Sequence, residues 1–116
     1  MKFFKIILFL SPLVVLLLFN TNGFAYSPFL DEVIYQYDKR FSCNLCHRNA
    51  KLNGFGEDFK NKYQQLIDDT GKKYNSDIVN LTLKTIEYID SDGDGWLNGS
   101  ELMNGTLPGD KFSHPK

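Results

Sequence analysis

The sequence is poor in cysteine, which limits how a small domain of this kind is stabilised. Only two cysteines occur in 116 residues, so a framework of several disulfide bonds is excluded. No stretch alternates apolar and polar residues with a period of two, and no internal repeat is visible, so we expect neither half-buried strands nor a repeat architecture. A domain this small buries only a small hydrophobic core, so it needs another stabiliser, such as a metal ion or a cofactor.

An excess of basic charge is also lacking. The whole chain has 13 basic and 14 acidic residues, and two of the basic ones, Lys2 and Lys5, lie near its N-terminus. Residues 26–116 therefore contain 11 basic and 14 acidic residues, which gives a net charge of −3. Because binding to nucleic acid requires clustered positive charge, we expect no nucleic-acid partner.

The N-terminal segment has the layout of a secretory signal peptide. Two lysines precede an apolar run from Ile6 to Phe19, and a short polar stretch then ends in the small residue Ala25. We predict cleavage after Ala25, which leaves one domain over residues 26–116 in the periplasm or outside the cell, with no stable membrane span. The alternative is an uncleaved anchor, although the apolar run is shorter than the roughly 20 residues that span a bilayer.

The remaining sequence predicts helices. Apolar residues at 3- and 4-residue spacing predict helices over residues 28–41, 57–69 and 77–89, and a short one over residues 100–105. Gly54 and Gly56 indicate a loop over residues 49–56, Gly71 ends the second helix, and Ser76 is the predicted N-cap of the third. We therefore predict an all-α fold.

Both cysteines and one of the two histidines lie in a single short stretch. Cys43, Cys46 and His47 stand at positions i, i+3 and i+4, which project from one face of a helix. A porphyrin offers a matching target, because two vinyl groups on its edge accept thiols and its iron accepts an imidazole. C-x-x-C-H is the attachment motif of c-type haem. We predict covalent haem c on both cysteines, with His47 as the proximal ligand of the iron.

Three other interpretations of this motif compete with haem. An ordinary disulfide with an incidental histidine needs only oxidising conditions. A thioredoxin-like redox pair needs a βαβ pattern, which the sequence lacks. A zinc site needs two further cysteine or histidine ligands, and only His114 remains.

The residues after the motif add a resemblance to a known family. Phe55, Phe59 and Tyr63 lie four apart, which is typical either of plain core or of the wall of a haem pocket. The stretch from Phe41 to Tyr63 resembles small bacterial monohaem cytochromes c, in which CxxCH precedes a Gly/Asn loop and a helix over the haem edge. The resemblance implies a cytochrome c-like helical domain that passes electrons between periplasmic or surface redox partner proteins.

The sixth iron ligand stays open. Class I cytochromes c place a methionine well beyond the motif, and Met103 follows His47 by 56 residues. The resemblance therefore implies Met103 as the ligand. The sequence lacks the proline-rich loop that usually presents this methionine, so His114, a lysine, water and an open position are the alternatives.

A second motif, "DSDGDGWLNGSE", occupies residues 90–101 and matches the twelve-residue loop of an EF-hand. Gly95 stands at the sixth position, where the chain must turn sharply. Carboxylates this close repel one another without a cation, so we predict a Ca²⁺ site. The predicted oxygen ligands are Asp90, Asp92, Asp94, Trp96 through its carbonyl, Asn98 through its amide oxygen or a bound water, and Glu101 through two oxygens.

The alternative is a solvated loop that is merely rich in Asp and Gly. No partner hand is visible in the sequence, and a lone hand resembles the single loops of exported bacterial modules such as dockerin-type repeats. That resemblance implies a weak site, with a Kd on the order of 10⁻⁴ to 10⁻³ M, and a structural rather than a sensory role.

Together these motifs predict an exported monohaem c-type cytochrome, an electron carrier rather than an enzyme, with a C-terminal helix-loop-helix that binds Ca²⁺. One alternative is a haem enzyme, for example of the peroxidase type, or a gas or redox sensor with an open sixth position. Another is a calcium-dependent structural or adhesion module in which CxxC forms only a disulfide. Because Met103 follows Glu101 by two residues, the sequence also predicts that calcium and iron influence each other.

Overall fold

The computed structural model describes residues 28–116, and the predicted signal peptide over residues 1–25 lies outside them. Within the described part the chain forms four α-helices: α1 (Pro28–Tyr37), α2 (Gly54–Thr70), α3 (Ser76–Ile86) and α4 (Asn98–Asn104). Between α1 and α2 lie a short 3₁₀ helix (Cys43–Leu45) and two strands, β1 (His47–Arg48) and β2 (Lys51–Leu52). The prediction of a mainly helical fold is confirmed.

The strictly all-α prediction missed one small element, the hairpin formed by β1 and β2. His47 pairs with Leu52 and Arg48 with Lys51 in an antiparallel register. Asn49 and Ala50 connect the strands with φ angles of 50° and 63°. Two successive residues with positive φ are typical of a type I′ turn, which closes a tight hairpin. Strands of two residues are too short to show an alternating pattern, so the sequence did not indicate them.

The core lies where α1 and α2 both pack against α3. The buried face of α3 is formed by Val79, Leu83 and Ile86, together with Ile78. Leu81 and Ile89, two apolar residues of the helix predicted over residues 77–89, are exposed. The other buried members of the core come from α1, from the segment around the 3₁₀ helix, from α2 and from α4: Val33, Phe41, Leu45, Phe55, Phe59 and Leu102.

Helix α2 begins three residues before its predicted start, at Gly54 instead of Glu57. Its N-cap is Asn53, whose Oδ1 accepts a hydrogen bond from the backbone N–H of Gly56 at 2.9 Å. Gly54 and Gly56 therefore belong to the first turn of a helix rather than to a loop. A Cβ on Gly56 would collide with the carbonyl oxygen of Cys46, so this glycine permits close packing.

Helix α3 also differs from its prediction at both ends. It is capped by Asn75 rather than Ser76, because Asn75 Oδ1 accepts a hydrogen bond from the N–H of Ile78 at 2.8 Å. It ends at Ile86 rather than Ile89, because the next carbonyl oxygens accept hydrogen bonds from the start of α4 instead of from a further turn of α3. The N–H of Gly99 donates to the carbonyl of Glu87, and the N–H of Asn98 donates to that of Ile89. The residues that separate α3 from α4 are thus held at both ends.

None of the helices in residues 28–116 combines the length and the hydropathy needed to cross a lipid bilayer.

The N-cap of α2 should contribute more to the free energy of unfolding than the N-cap of α3. The Nδ2 group of Asn53 also donates to the carbonyl oxygens of Leu45 at 3.0 Å and Asn44 at 3.3 Å. We expect Asn75→Ala to lower the free energy of unfolding by about 1 kcal/mol. We expect Asn53→Ala to lower it by about 2–3 kcal/mol, because these additional hydrogen bonds are lost too. Chemical denaturation measures both, and equal losses would contradict this role of Asn53.

Candidate functional site

The residues of the CxxCH segment (residues 43–47) lie close together, although not on one helix as predicted. Cys43 begins the 3₁₀ helix, Cys46 follows that helix in a turn, and His47 is the first residue of β1. The N–H of Cys46 donates to the carbonyl of Cys43 at 3.3 Å, which closes the turn. Pairing of β1 with β2 directs the chain away after Cys46, so a regular helix does not continue through His47.

The CxxCH segment borders an apolar cleft of about 110 Å³. Cys43, Cys46 and His47 all contribute to its lining. The opposite walls come from α1 and α2, and the remaining lining residues are Phe29, Leu30, Val33, Ser42, Leu45, Phe55 and Phe59. Two of the three predicted aromatic wall residues therefore lie at the cleft.

The third predicted wall residue, Tyr63, lies behind the cleft. Its ring is 5.0 Å from that of Phe29 in an edge contact, and 6.0 Å from that of Phe59 in a stacked one. Phe29 and Phe59 make a further edge contact at 5.5 Å. These aromatic contacts fix Phe29 and Phe59, two of the three phenylalanines that line the cleft.

The donor set at this cleft fits a covalently attached haem. Both cysteines are free, Cys43 is exposed and Cys46 is half-buried, so both thiols are available to a planar group resting on the cleft. His47 is exposed beside them and supplies an imidazole. The cleft is smaller than the roughly 300–1,000 Å³ of a typical cofactor pocket, so it accommodates one apolar edge of such a group rather than enclosing it.

The environment of Cys46 does not favour this residue as a redox nucleophile. Burial, and then the neighbouring Cys43, raise the pKa of the Cys46 thiol to about 11. Reactive redox cysteines instead have a lowered pKa, because the thiolate is the nucleophile. The raised pKa therefore argues against Cys46 as the attacking thiol of a redox pair.

The two candidate sixth ligands lie away from the cleft. Met103 is 62 % exposed on α4, because its neighbour Leu102 is the residue that packs into the core. His114 is exposed in the C-terminal tail, with its Nδ1 3.1 Å from the carbonyl oxygen of Pro115. In the described part of the chain neither residue lines the cleft, so the structure does not bring Met103 to His47 as the resemblance implied.

The acidic loop (residues 90–101) has a backbone organised by its own aspartates. Asp90 accepts hydrogen bonds from the N–H groups of Gly93 at 2.9 Å and Gly95 at 2.8 Å. Gly95 has a φ of 90°, a conformation that suits glycine at the sharp turn of the loop. The N–H of Trp96 donates to Asp94 at 2.8 Å. These bonds hold the loop in a closed curve.

Inside this curve the carboxylates converge, and several of their buried oxygens have no hydrogen-bond partner. Oxygens of Asp90, Asp92 and Asp94 all lie within 4.8 Å of one another. Glu101 is fully buried on α4, and neither of its carboxylate oxygens has a hydrogen-bond partner. One buried oxygen of Asp92 and one of Asp94 are also unpartnered. Because a buried carboxylate without a partner is costly, this arrangement fits a bound cation with oxygen ligands.

The electrostatics of the loop agree with this fit. Burial is the largest cause that raises the pKa of Glu101 to about 9, and the negative charges of Asp92 and Asp94 raise it further. Burial likewise raises the pKa of Asp92 to about 6. The pKa of Asp90 is lowered instead, chiefly by its hydrogen bond from Gly95. Without a cation, therefore, the loop holds a proton on Glu101 at neutral pH.

One predicted calcium ligand has another role. The amide of Asn98 is buried, and its Nδ2 donates to the carbonyl of Ile86 at 3.0 Å and to Ser91 Oγ at 2.7 Å. Its Oδ1 accepts from the N–H of Ser91 at 3.2 Å. The side chain of Asn98 therefore ties the two ends of the acidic loop to each other instead of pointing at the carboxylates. Trp96 remains a candidate through its carbonyl alone.

Ser91 connects the acidic loop to α2, a contact that the sequence did not indicate. Ser91 Oγ donates to Asp58 Oδ2 at 2.6 Å. A Cβ on Gly54 would collide with the carbonyl oxygen of Ser91, so the backbones meet at the first turn of α2. The same turn contacts Cys46 at Gly56. The two candidate sites are thus packed on opposite sides of one helical turn.

The pKa of Glu101 predicts how pH affects the calcium-free protein. Because the folded state binds this proton more tightly than the unfolded state, the stabilisation is complete below pH 4.5 and is lost as the pH rises through about 9. We expect wild type in chelator to become less stable over this window, and Glu101→Gln to show little such loss. Added Ca²⁺ at 100 times its Kd should stabilise wild type by about 2.7 kcal/mol and Glu101→Gln far less.

Chemical denaturation at pH 5, 7 and 9, with chelator and with Ca²⁺, measures these effects. Glu57→Gln is the matched control, because Glu57 is an exposed glutamate in the first turn of α2. A wild-type protein whose free energy of unfolding changes with neither pH nor Ca²⁺ would contradict a cation site at Glu101.

Comparison with protein-family models, with curated proteins and with solved structures finds no match for this chain. The chemistry of both sites is therefore inferred from their own residues and geometry.

Proposed function

We propose that this protein is an exported monohaem c-type cytochrome that transfers single electrons and carries one structural calcium site. The observation that supports the haem is the convergence of two free thiols and an imidazole, those of Cys43, Cys46 and His47, on one apolar cleft. Haem bound there supplies one-electron exchange between ferrous and ferric iron. Attachment of this cofactor takes place outside the cytoplasm, which agrees with the predicted signal peptide over residues 1–25.

The roles of the chain's own residues follow from their positions. Cys43 and Cys46 would hold the cofactor through two thioether bonds, and the hydrogen-bonded turn between them sets their spacing. His47 would bind the iron, and its place in β1 fixes its backbone. Phe55 and Phe59 would contact the macrocycle and exclude water from one of its edges.

Calcium would stabilise the fold around this cofactor rather than act as a signal. Its carboxylate ligands would be Asp90, Asp92, Asp94 and Glu101, which otherwise repel one another. Because Ser91 contacts Gly54 and Asp58, an ordered loop would also hold the first turn of α2 against Cys46.

The direct test of the proposal is covalent haem attachment. We expect the mature protein to keep haem staining after denaturing electrophoresis, Cys46→Ser to stain weakly and the double Cys43→Ser/Cys46→Ser variant not to stain at all. Ser42→Ala is the matched control, because Ser42 borders the same cleft without a thiol. A colourless wild type would favour the calcium-stabilised module with a simple disulfide, and staining of the double variant would contradict attachment at CxxCH.

A second candidate function is a sensor or enzyme in which the sixth iron position is open to a small ligand. The exposure of Met103 favours it, and so do the apolar residues opposite His47 in the cleft. We expect the absorption spectrum of Met103→Leu to equal that of wild type, including the near-infrared region, and ferrous wild type to bind CO. Loss of a near-infrared sulfur-to-iron band in Met103→Leu, with His114→Ala unchanged, would instead identify Met103 as the ligand.

A further inference from the structure

A second cavity, of about 180 Å³, lies between the β1–β2 hairpin and the C-terminal tail, residues 106–116. Two of its lining residues are charged, Arg48 from β1 and Asp110 from the tail. The others are Asn44, His47, Asn53, Leu107, Gly109 and Phe112. Among the described residues, His47 alone borders both this cavity and the apolar cleft. We call the second cavity the polar cavity. It is smaller than the roughly 300–1,000 Å³ of a site for a drug-sized molecule, so it suits a small ligand.

The cation and the anion that border the polar cavity are not paired with each other. Arg48 is exposed, and within residues 28–116 its side chain forms neither a hydrogen bond nor an ion pair. Asp110 is half-buried, and its Oδ1 accepts a hydrogen bond from the N–H of Phe112 at 3.0 Å. Its other oxygen, Oδ2, has no partner among the same residues. A ligand with a negative and a positive end would therefore satisfy both groups.

Both charged residues belong to turns with defined backbone contacts. The hairpin that carries Arg48 closes through a tight turn with two positive φ angles. In the tail, the N–H of Asp110 donates to the carbonyl of Leu107 at 3.1 Å. Gly109 lies against Asn53, because a Cβ on this glycine would collide with the Asn53 amide. The polar cavity is thus formed before a ligand binds, which lowers the entropic cost of binding.

The remaining lining adds a hydrogen-bond donor and an apolar border. Ser42 Oγ donates to Asn44 Oδ1 at 2.5 Å, which leaves the Nδ2 group of Asn44 without a partner in residues 28–116. Leu107 is half-buried, and Phe112 is 77 % exposed. An apolar group bound beside these two side chains would remove part of the Phe112 ring from water. The polar cavity therefore combines opposite charges with an apolar border.

We infer that the polar cavity binds a free α-amino acid with an apolar side chain, in its zwitterionic form. Arg48 would bind the carboxylate, because a guanidinium donates two parallel hydrogen bonds to it, and Asn44 would donate a further one. Asp110 would accept from the ammonium group, and Leu107 and Phe112 would contact the side chain. The small volume favours a single amino acid over a longer peptide. The inference goes beyond the proposed function and does not require haem.

The test titrates the purified protein with four small molecules by isothermal calorimetry. L-leucine carries both charges, L-leucinamide lacks the carboxylate, N-acetyl-L-leucine lacks the ammonium group, and glycine lacks the side chain. We expect L-leucine to bind at least about 10-fold more tightly than leucinamide or N-acetyl-leucine, because each derivative loses hydrogen bonds between charged groups. Glycine should also bind at least about 10-fold more weakly, because it buries no apolar side chain.

Two variants assign the charges of the ligand to residues of the polar cavity. Arg48→Gln should weaken binding of L-leucine at least about 10-fold without weakening that of leucinamide, which has no carboxylate. Asp110→Asn should weaken binding of L-leucine to a similar extent without weakening that of N-acetyl-leucine, and an asparagine there still accepts the hydrogen bond from Phe112. Lys51→Gln and Asp69→Asn are the matched controls, because both residues are exposed and neither borders the polar cavity.

Failure of L-leucine to bind at millimolar concentration would overturn the inference. Equal affinity for L-leucine and N-acetyl-leucine would overturn it as well, because it would indicate a site for anions only, and so would equal losses in the control variants. The NMR shifts of the Arg48 and Asp110 backbone amides locate the ligand, and unshifted amides in protein that binds L-leucine would contradict the assigned cavity. The haem absorption of the same preparation tests the proposed function separately, since we expect coloured and colourless protein alike to bind L-leucine.

Discussion

The first turn of α2 is packed between the two candidate sites, and the rest of the structure depends on this packing. Gly56 lies against the carbonyl of Cys46 on one side, and Gly54 lies against the carbonyl of Ser91 on the other. A side chain at either position would separate the chains, since the collision in each case is with backbone. Asn53 caps this turn and also holds the 3₁₀ helix that contains Cys43. Any displacement of this turn therefore also moves the residues that it contacts in both sites.

The unsatisfied carboxylates determine which conditions keep this turn in place. Glu101 is buried on α4 next to Leu102, a member of the core, so its charge is not relieved by swinging into solvent. Either a proton or a cation must neutralise it, and a cation would also neutralise Asp92 and Asp94, whose negative charges act on Glu101. Binding of Ca²⁺ would thus stabilise the loop, the Ser91 contact with α2 and, through Gly56, the position of Cys46.

Much of both candidate sites could be predicted from the sequence, because their motifs are local. The spacing of Cys43, Cys46 and His47 and the twelve-residue acidic loop each depend on neighbours in the chain. The contacts that position them join distant segments, as Ser91 does with Asp58, and no local pattern marks such a pair. Asn98 shows the same limit. Its position in the loop predicts a ligand, whereas its buried amide instead bonds the carbonyl of Ile86 and both the hydroxyl and the N–H of Ser91. Gly54 and Gly56 were misassigned to a loop because composition does not distinguish a turn from close packing.

The central claim is that calcium in the acidic loop holds the first turn of α2 against the CxxCH segment. Hydrogen exchange of single amides tests it most directly. The N–H of Asn53 bonds the carbonyl of Cys46, and that of Gly56 bonds Asn53, whereas the N–H of Gly71 bonds Ile67 at the far end of the same helix. We predict that removal of Ca²⁺ accelerates exchange at Asn53 and Gly56 and leaves Gly71 unchanged. Unchanged exchange at Asn53 and Gly56 after removal of Ca²⁺ would contradict the account.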